Sequence, residues 1–258
     1  MISHPRSRTA AKVAASRVSK AGCGRAGEQE GLGKEQSIHV RVRWSVTPHL
    51  VYFADPMCSW CWGFAPALAK IREAFAGELP VRLIMGGLRP GASSIMTRAS
   101  RHEVRTHWEH VREATGQPFD FGFFDRTEFV YDTDPAARAV VALRRSDPEA
   151  ALGYFERVQG AFYAENRDVT SASVLADIAA EGGADRDDFL TSLATDAVKQ
   201  ETWRDYATSQ RAGITGFPTL VVGPDADGAH VWVTQGYQPA EALLGPLRTW
   251  LQALRVPV

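Results

Sequence analysis

The chain has 258 residues, of which 45% are hydrophobic and 23% charged, a mix that fits a soluble globular protein and excludes a collagen-like or wholly disordered one. Its net charge of −1 is uneven: Met1 to Trp44 holds nine Lys/Arg against three Glu, so the remainder carries −7. That acidic body has no basic stripe of the kind a polynucleotide surface needs, and no nucleic-acid partner is expected.

Residues 1–45, with runs such as "RTAAKVAASRVSKAGCGRAGEQEGLGK", hold few large apolar side chains and read as a disordered basic tail, with a targeting or anionic-surface arm as the alternative. Cys23 goes with this tail and is expected to be unpaired. The tail lacks the apolar middle of a secretory signal, and no stretch of the chain approaches the roughly 20 apolar residues that cross a bilayer. A cytoplasmic protein with no membrane partner is the expectation.

Residues 46–90 read as strand, helix, strand. "HLVYFA" from His49 is a contiguous apolar run, as in a strand buried on both faces. After "DPMCSWCWGFAP" comes "ALAKIREAF", with Leu68, Ile71 and Phe75 at helical spacing and Gly77 as a stop. "VRLIMGG" from Val81 is a second strand, and the crossover implies parallel pairing. Residues 91–210 give one helix signal after another: Asp134 and Pro135 are expected to open one helix as cap and first turn, and Thr170 to cap another. Residues 211–258 return to strand character in "GFPTLVV" and "HVWVTQGY", then close with the amphipathic "PAEALLGPLRTWLQAL". The two outer segments must share one sheet, because a lone βαβ fragment leaves apolar faces uncovered.

The chemistry concentrates in Cys58-Ser59-Trp60-Cys61. Placed between a buried strand and a helix, Cys58 falls at the helix N-terminus, where unpaired amides and the helix dipole lower a thiol from its free value of about 8.5. Cys58 is the expected nucleophile, and Cys61, one turn on, the thiol that resolves a mixed disulfide. Half a zinc site is the rival reading, with His102, His107 and His110 completing it; the bland alternative sets these histidines on a solvated helix face with Trp108 and Val111 inward. Two inert core cysteines are a third possibility. In "GITGFPTL", Pro218 leads into a strand it cannot serve with an amide proton, and a cis peptide after Phe217 would present that residue's backbone to a substrate.

The redox pair, the helical block holding "FVYDTDPAARAVVAL" and "AFYAENRDVT", and "GITGFPTL" together resemble the DsbA family of the thioredoxin superfamily, including its signal-less FrnE-like branch. The resemblance implies an α/β thioredoxin-like fold, βαβ plus ββα around a mixed central sheet, with an inserted all-helical subdomain. It implies that Cys58 attacks, Cys61 resolves, and Pro218 is cis and faces the pair. Ser59-Trp60 replaces the Pro-His of the periplasmic oxidants, so their oxidising poise does not transfer. Related kappa-class glutathione transferases typically lack the second cysteine, so Cys61 argues against a transferase acting on a small aromatic compound. A chaperone or binding module is the non-enzymatic alternative.

The reading is thus a thiol–disulfide oxidoreductase or isomerase acting on protein or small-thiol substrates, without metal or external cofactor, and with glutathione left open as a co-substrate. Trp60, Phe217 and Pro218 are its substrate-contact candidates. Trp60, Trp62 and Phe64 form either an apolar platform or core, Asp55 either tunes proton transfer or ends the strand in an Asp-Pro turn, with the turn preferred, and Phe162, Tyr163 and Asp168 either line a cleft or pack inside.

Overall fold

Strand β1 (His49–Ala54) is buried along its whole length, which is why its apolar residues run without alternation. The computed structural model describes residues 47–224 and 228–255, so the tail and Cys23 lie outside the described residues. Helix α1 (Ser59–Ala74) follows, then β2 (Val81–Met85), paired parallel to β1 as a crossover requires. Strands β3 (Thr219–Gly223) and β4 (Val231–Gln235) complete a sheet of order β2-β1-β3-β4, with β3 antiparallel to β1, and α8 (Ala240–Ala253) ends the fold. The sheet is mixed, as the resemblance implies.

Between β2 and β3 run α2 (Arg98–Thr115), a short 3-10 turn (Phe121–Asp125), α3 (Asp134–Ser146), α4 (Ala151–Tyr163), α5 (Ala172–Glu181), α6 (Arg186–Leu193) and α7 (Asp196–Arg211). Leu50, Tyr52 and Ala54 face one core shared with these helices, while Val51 and Phe53 face a second, smaller cluster with Ile84, Ala212 and Val221. On α2, Val104, Trp108 and Val111 point inward and His102, His107 and His110 are exposed, so the histidines lie on the solvated face. Among the described residues no side-chain group could hold a metal ion. No described helix is long and apolar enough to cross a membrane.

Two helix starts differ from expectation. Thr170 does not cap α5: its hydroxyl donates to Asp168 at 2.6 Å and its amide to the same carboxylate, so a local turn has captured the capping group. Ser171 stands at the cap position instead. Asp134 lies one residue inside α3, after Thr133, where its carboxylate accepts from the Tyr206 hydroxyl at 3.1 Å.

The outer edge of β2 would leave backbone groups unpaired, a liability for any sheet. Side chains from the helical block close it. Arg144 donates to the Leu83 carbonyl at 2.8 Å and Asp205 accepts the Met85 amide at 3.0 Å, while Arg144 and Asp205 pair with each other at 2.8 Å. The two charged groups therefore stand in for a neighbouring strand.

Candidate functional site

Cys58 occupies the cap position of α1 with extended backbone, and its carbonyl accepts the Trp62 amide at 3.1 Å. The first turn has no acidic side chain, so its free amides present positive potential to the sulfur. Pro66 inside α1 has no amide proton to give the Trp62 carbonyl, and Gln117 Nε2 supplies that bond at 2.9 Å instead. The indole of Trp62 donates to the Pro118 carbonyl at 3.0 Å, so the start of α1 is pinned to the helical block.

Both thiols are free, and the Cys61 sulfur lies within hydrogen-bonding reach of Cys58. Cys58 is 6% exposed and Cys61 0%, so a substrate meets Cys58 first. Burial pushes the Cys61 thiol well above its ordinary value, and the neighbouring Cys58 adds to this. The Tyr52 hydroxyl, also buried, faces Cys61.

The peptide between Phe217 and Pro218 is cis, and the Cys58 thiol donates to the Phe217 carbonyl at 3.6 Å. The residues matching the predicted pair and the proline therefore come together from opposite ends of the chain. This decides the family. The chain belongs to the DSBA-like thioredoxin domain family. Residues 49–245 match that family's model. Among solved structures it is similar to a Nitrosomonas europaea protein described as a candidate protein disulfide isomerase, at 38% identity and a TM-score of 0.73, covering 80% of this chain and 98% of that one. It is also similar to the cytosolic disulfide reductase DsbM of Pseudomonas aeruginosa, at 28% identity and a TM-score of 0.65 over 80% of this chain and 99% of that one. DsbM has also been solved with GSH. Among curated proteins, the ClpXP adapter protein SpxH of Halalkalibacterium halodurans is 23% identical over 72% of this chain and 62% of its own length. The chain thus spans less than two thirds of that relative. Both of these solved neighbours are described as disulfide-handling proteins.

The remaining candidates divide. Trp60 is half-buried at the rim beside Tyr237, ring centroids 5.7 Å apart, and Phe217 is half-buried too. Phe64 is fully buried, so it belongs to the core and not to a platform. Trp62 stacks on Tyr163 at 6.3 Å. Phe162 and Tyr163 are 0% exposed inside an aromatic cluster around Trp108, and Asp168 serves its local turn.

Asp55 is not merely a strand terminator. It is fully buried, accepting the Met57 amide at 2.9 Å and the Leu88 amide at 2.8 Å. Burial pushes its carboxyl up to about 6, against the lowering effect of these amides and Thr133.

Gly86 was not singled out in the sequence, although the Gly86-Gly87 pair directly after β2 was its signal. A Cβ there would lie 2.1 Å from the Phe217 ring, so only glycine lets that ring seat against β2. Gly86→Ala should displace Phe217 and its carbonyl from Cys58, lowering kcat/KM for disulfide reduction about tenfold. Wild-type kinetics in this variant would show that the seating is unimportant.

Proposed function

We propose that the protein reduces disulfides in protein or small-thiol substrates through Cys58 and Cys61, and that glutathione returns the pair to the dithiol. The observation that carries this reading is the Cys58 thiol against the Phe217 carbonyl, with Cys61 buried behind it. A substrate strand whose amide takes that carbonyl displaces the S–H and leaves the Cys58 proton free to depart. The Cys58 thiolate attacks the substrate disulfide, forming a mixed disulfide and releasing one substrate thiolate. The Cys61 thiolate then attacks Cys58, closing the protein disulfide and releasing the second. Two electrons pass to the substrate, and two glutathione molecules restore the dithiol as they become one glutathione disulfide. No metal or further cofactor enters. The likeness to DsbM supports the reducing direction, and a reducing compartment such as the cytoplasm suits it. Disulfide isomerisation uses the same first step.

Asp55 is the base we assign to Cys61. Its carboxyl, raised to about 6, is ionised at neutral pH and still basic enough to take the proton that burial holds on Cys61. The native state binds the Asp55 proton more tightly than the unfolded chain. The stability of the protonated form is therefore present below the ordinary carboxylate range and lost as pH rises to about 6. Resolution of the mixed disulfide should accelerate across that same interval. In Asp55→Asn the limb near pH 6 should vanish from single-turnover profiles and resolution slow about 10²-fold. An unchanged profile would clear Asp55 of this role.

Titration of the purified protein in glutathione buffers, with alkylation and mass measurement, tests the whole reading. It requires reversible two-electron equilibration of Cys58 and Cys61; a pair that never oxidises rejects it. The similarity to SpxH favours a second reading, an adapter that binds a partner without redox turnover. Partner binding that survives substitution of both cysteines, together with absent thiol turnover, would favour the adapter.

A further inference from the structure

Among the described residues the large apolar side chains left exposed are Leu88 at 40%, Ile95 at 51% and Trp203 at 52%. Trp203 lies on the solvent side of α7, where Lys199, Trp203, Ala207 and Arg211 form one i,i+4 row and Arg204 stands beside it. These residues line a shallow surface groove of about 590 Å³ in which Asp196 is the one acid. The acids in the middle of α7, Glu201 and Asp205, point the other way, into ion pairs with Arg144 and Arg145. Arg211 donates to the Thr208 hydroxyl at 3.1 Å, and no ion pair among the described residues takes up Lys199, Arg204 or Arg211. An exposed indole is thus framed by three uncommitted cations on a chain whose body is acidic overall.

The row leads to the redox centre. The Trp203 ring packs edge-on against Tyr206, centroids 5.6 Å apart, and the Tyr206 ring lies against Gly87, where a Cβ would come within 2.8 Å of it. The adjacent Gly86 seats the Phe217 ring, and the Phe217 carbonyl faces the Cys58 thiol. The exposed Leu88 follows directly, its amide bonded to Asp55 at 2.8 Å. From Lys199 to Arg211 the row is about 18 Å long, the span of about five extended residues.

We propose that this face of α7 docks a short acidic segment with an apolar anchor in a polypeptide substrate, and so holds that substrate's disulfide at Cys58. The proposal rests on the reductase reading above and names the substrate class that reading leaves open. The three cations attract carboxylates, and Trp203 has half its surface to bury against an apolar side chain. The acidic body repels a long polyanion, so the face suits a short segment and not a nucleic acid. A small disulfide has no such segment and gains nothing from it.

A dye-labelled, cysteine-free peptide of alternating Glu and Leu should bind the full chain about tenfold more tightly than its Lys/Leu counterpart, and added salt should weaken it. Lys199→Gln/Arg204→Gln/Arg211→Gln should lower that affinity about tenfold, and Trp203→Ala should do the same. With a disulfide loop added to the Glu/Leu peptide, the triple variant should show a KM about tenfold higher at unchanged kcat. Its reduction of the uncharged bis(2-hydroxyethyl) disulfide should stay at wild type. Equal binding of the two peptides, or a KM that the triple variant leaves unmoved, overturns the docking face. A wild-type dimer that these substitutions turn into a monomer assigns the face to a second copy and overturns it too. Binding of the acidic peptide without reduction of either disulfide overturns the reductase reading and leaves the docking face standing.

Discussion

Cys58→Ser is expected to reduce both disulfide reduction and dithiol oxidation to the uncatalysed background. A serine hydroxyl stays protonated at neutral pH and does not attack sulfur, whereas thiolate attack is the first step in either direction. Cys61 cannot substitute, because it is fully buried behind Cys58 and burial holds its proton on. Cys61→Ser should behave differently: the first attack proceeds, resolution fails, and a mixed disulfide accumulates on Cys58. Insulin-disulfide reduction and intact-mass measurement of the trapped adduct separate the two variants. Turnover surviving Cys58→Ser would remove the assigned nucleophile, and an untrapped Cys61→Ser would remove the assigned resolver.

The redox pair was legible in the sequence because its setting is local. A contiguous apolar strand, a turn and a helical repeat place Cys58 at a helix start without reference to the rest of the chain. Pro218 was legible for a related reason, since a proline entering a strand demands an explanation. The Asp55-Pro56 turn was legible and is present, with the Asp55 carbonyl accepting the Cys58 amide and its carboxylate the Met57 amide, whereas its bond to the Leu88 amide 33 residues away was not legible. Tyr131 meets Met57 across 74 residues and lies in a segment whose local pattern says only helix approach. Phe64 lies one turn past Trp60 on the same side of α1, yet it is fully buried in the core while Trp60, at the helix start, is half-buried at the rim. Local chemistry is written in neighbouring residues, while the groups that tune it arrive from the helical block and require the tertiary fold.

Arg144 is such a group, and Arg144→Met should destabilise the protein by about 3–5 kcal/mol. On sequence alone it looks like one of two basic residues ending α3; in the fold it bonds to the Leu83 carbonyl, Asp205 and Glu201 at 2.8–3.0 Å. Burial pushes the Asp205 carboxyl up despite this partner, so the carboxylate is already costly, and without Arg144 its charge would be nearly uncompensated. Methionine retains the apolar stem, so the loss reports the guanidinium rather than packing. The double variant Arg144→Met/Asp205→Leu should recover only part of the stability, because the Leu83 carbonyl and Met85 amide then face a sheet edge with no partner. Activity should fall with the single substitution even where the protein stays folded, since Met85 leads directly into Gly86, on which the Phe217 ring rests. Urea unfolding midpoints, with disulfide reduction measured well below the transition, test both parts. A cost under about 1 kcal/mol, the scale of a surface pair, would mean that the charges do not hold the helical block to the sheet.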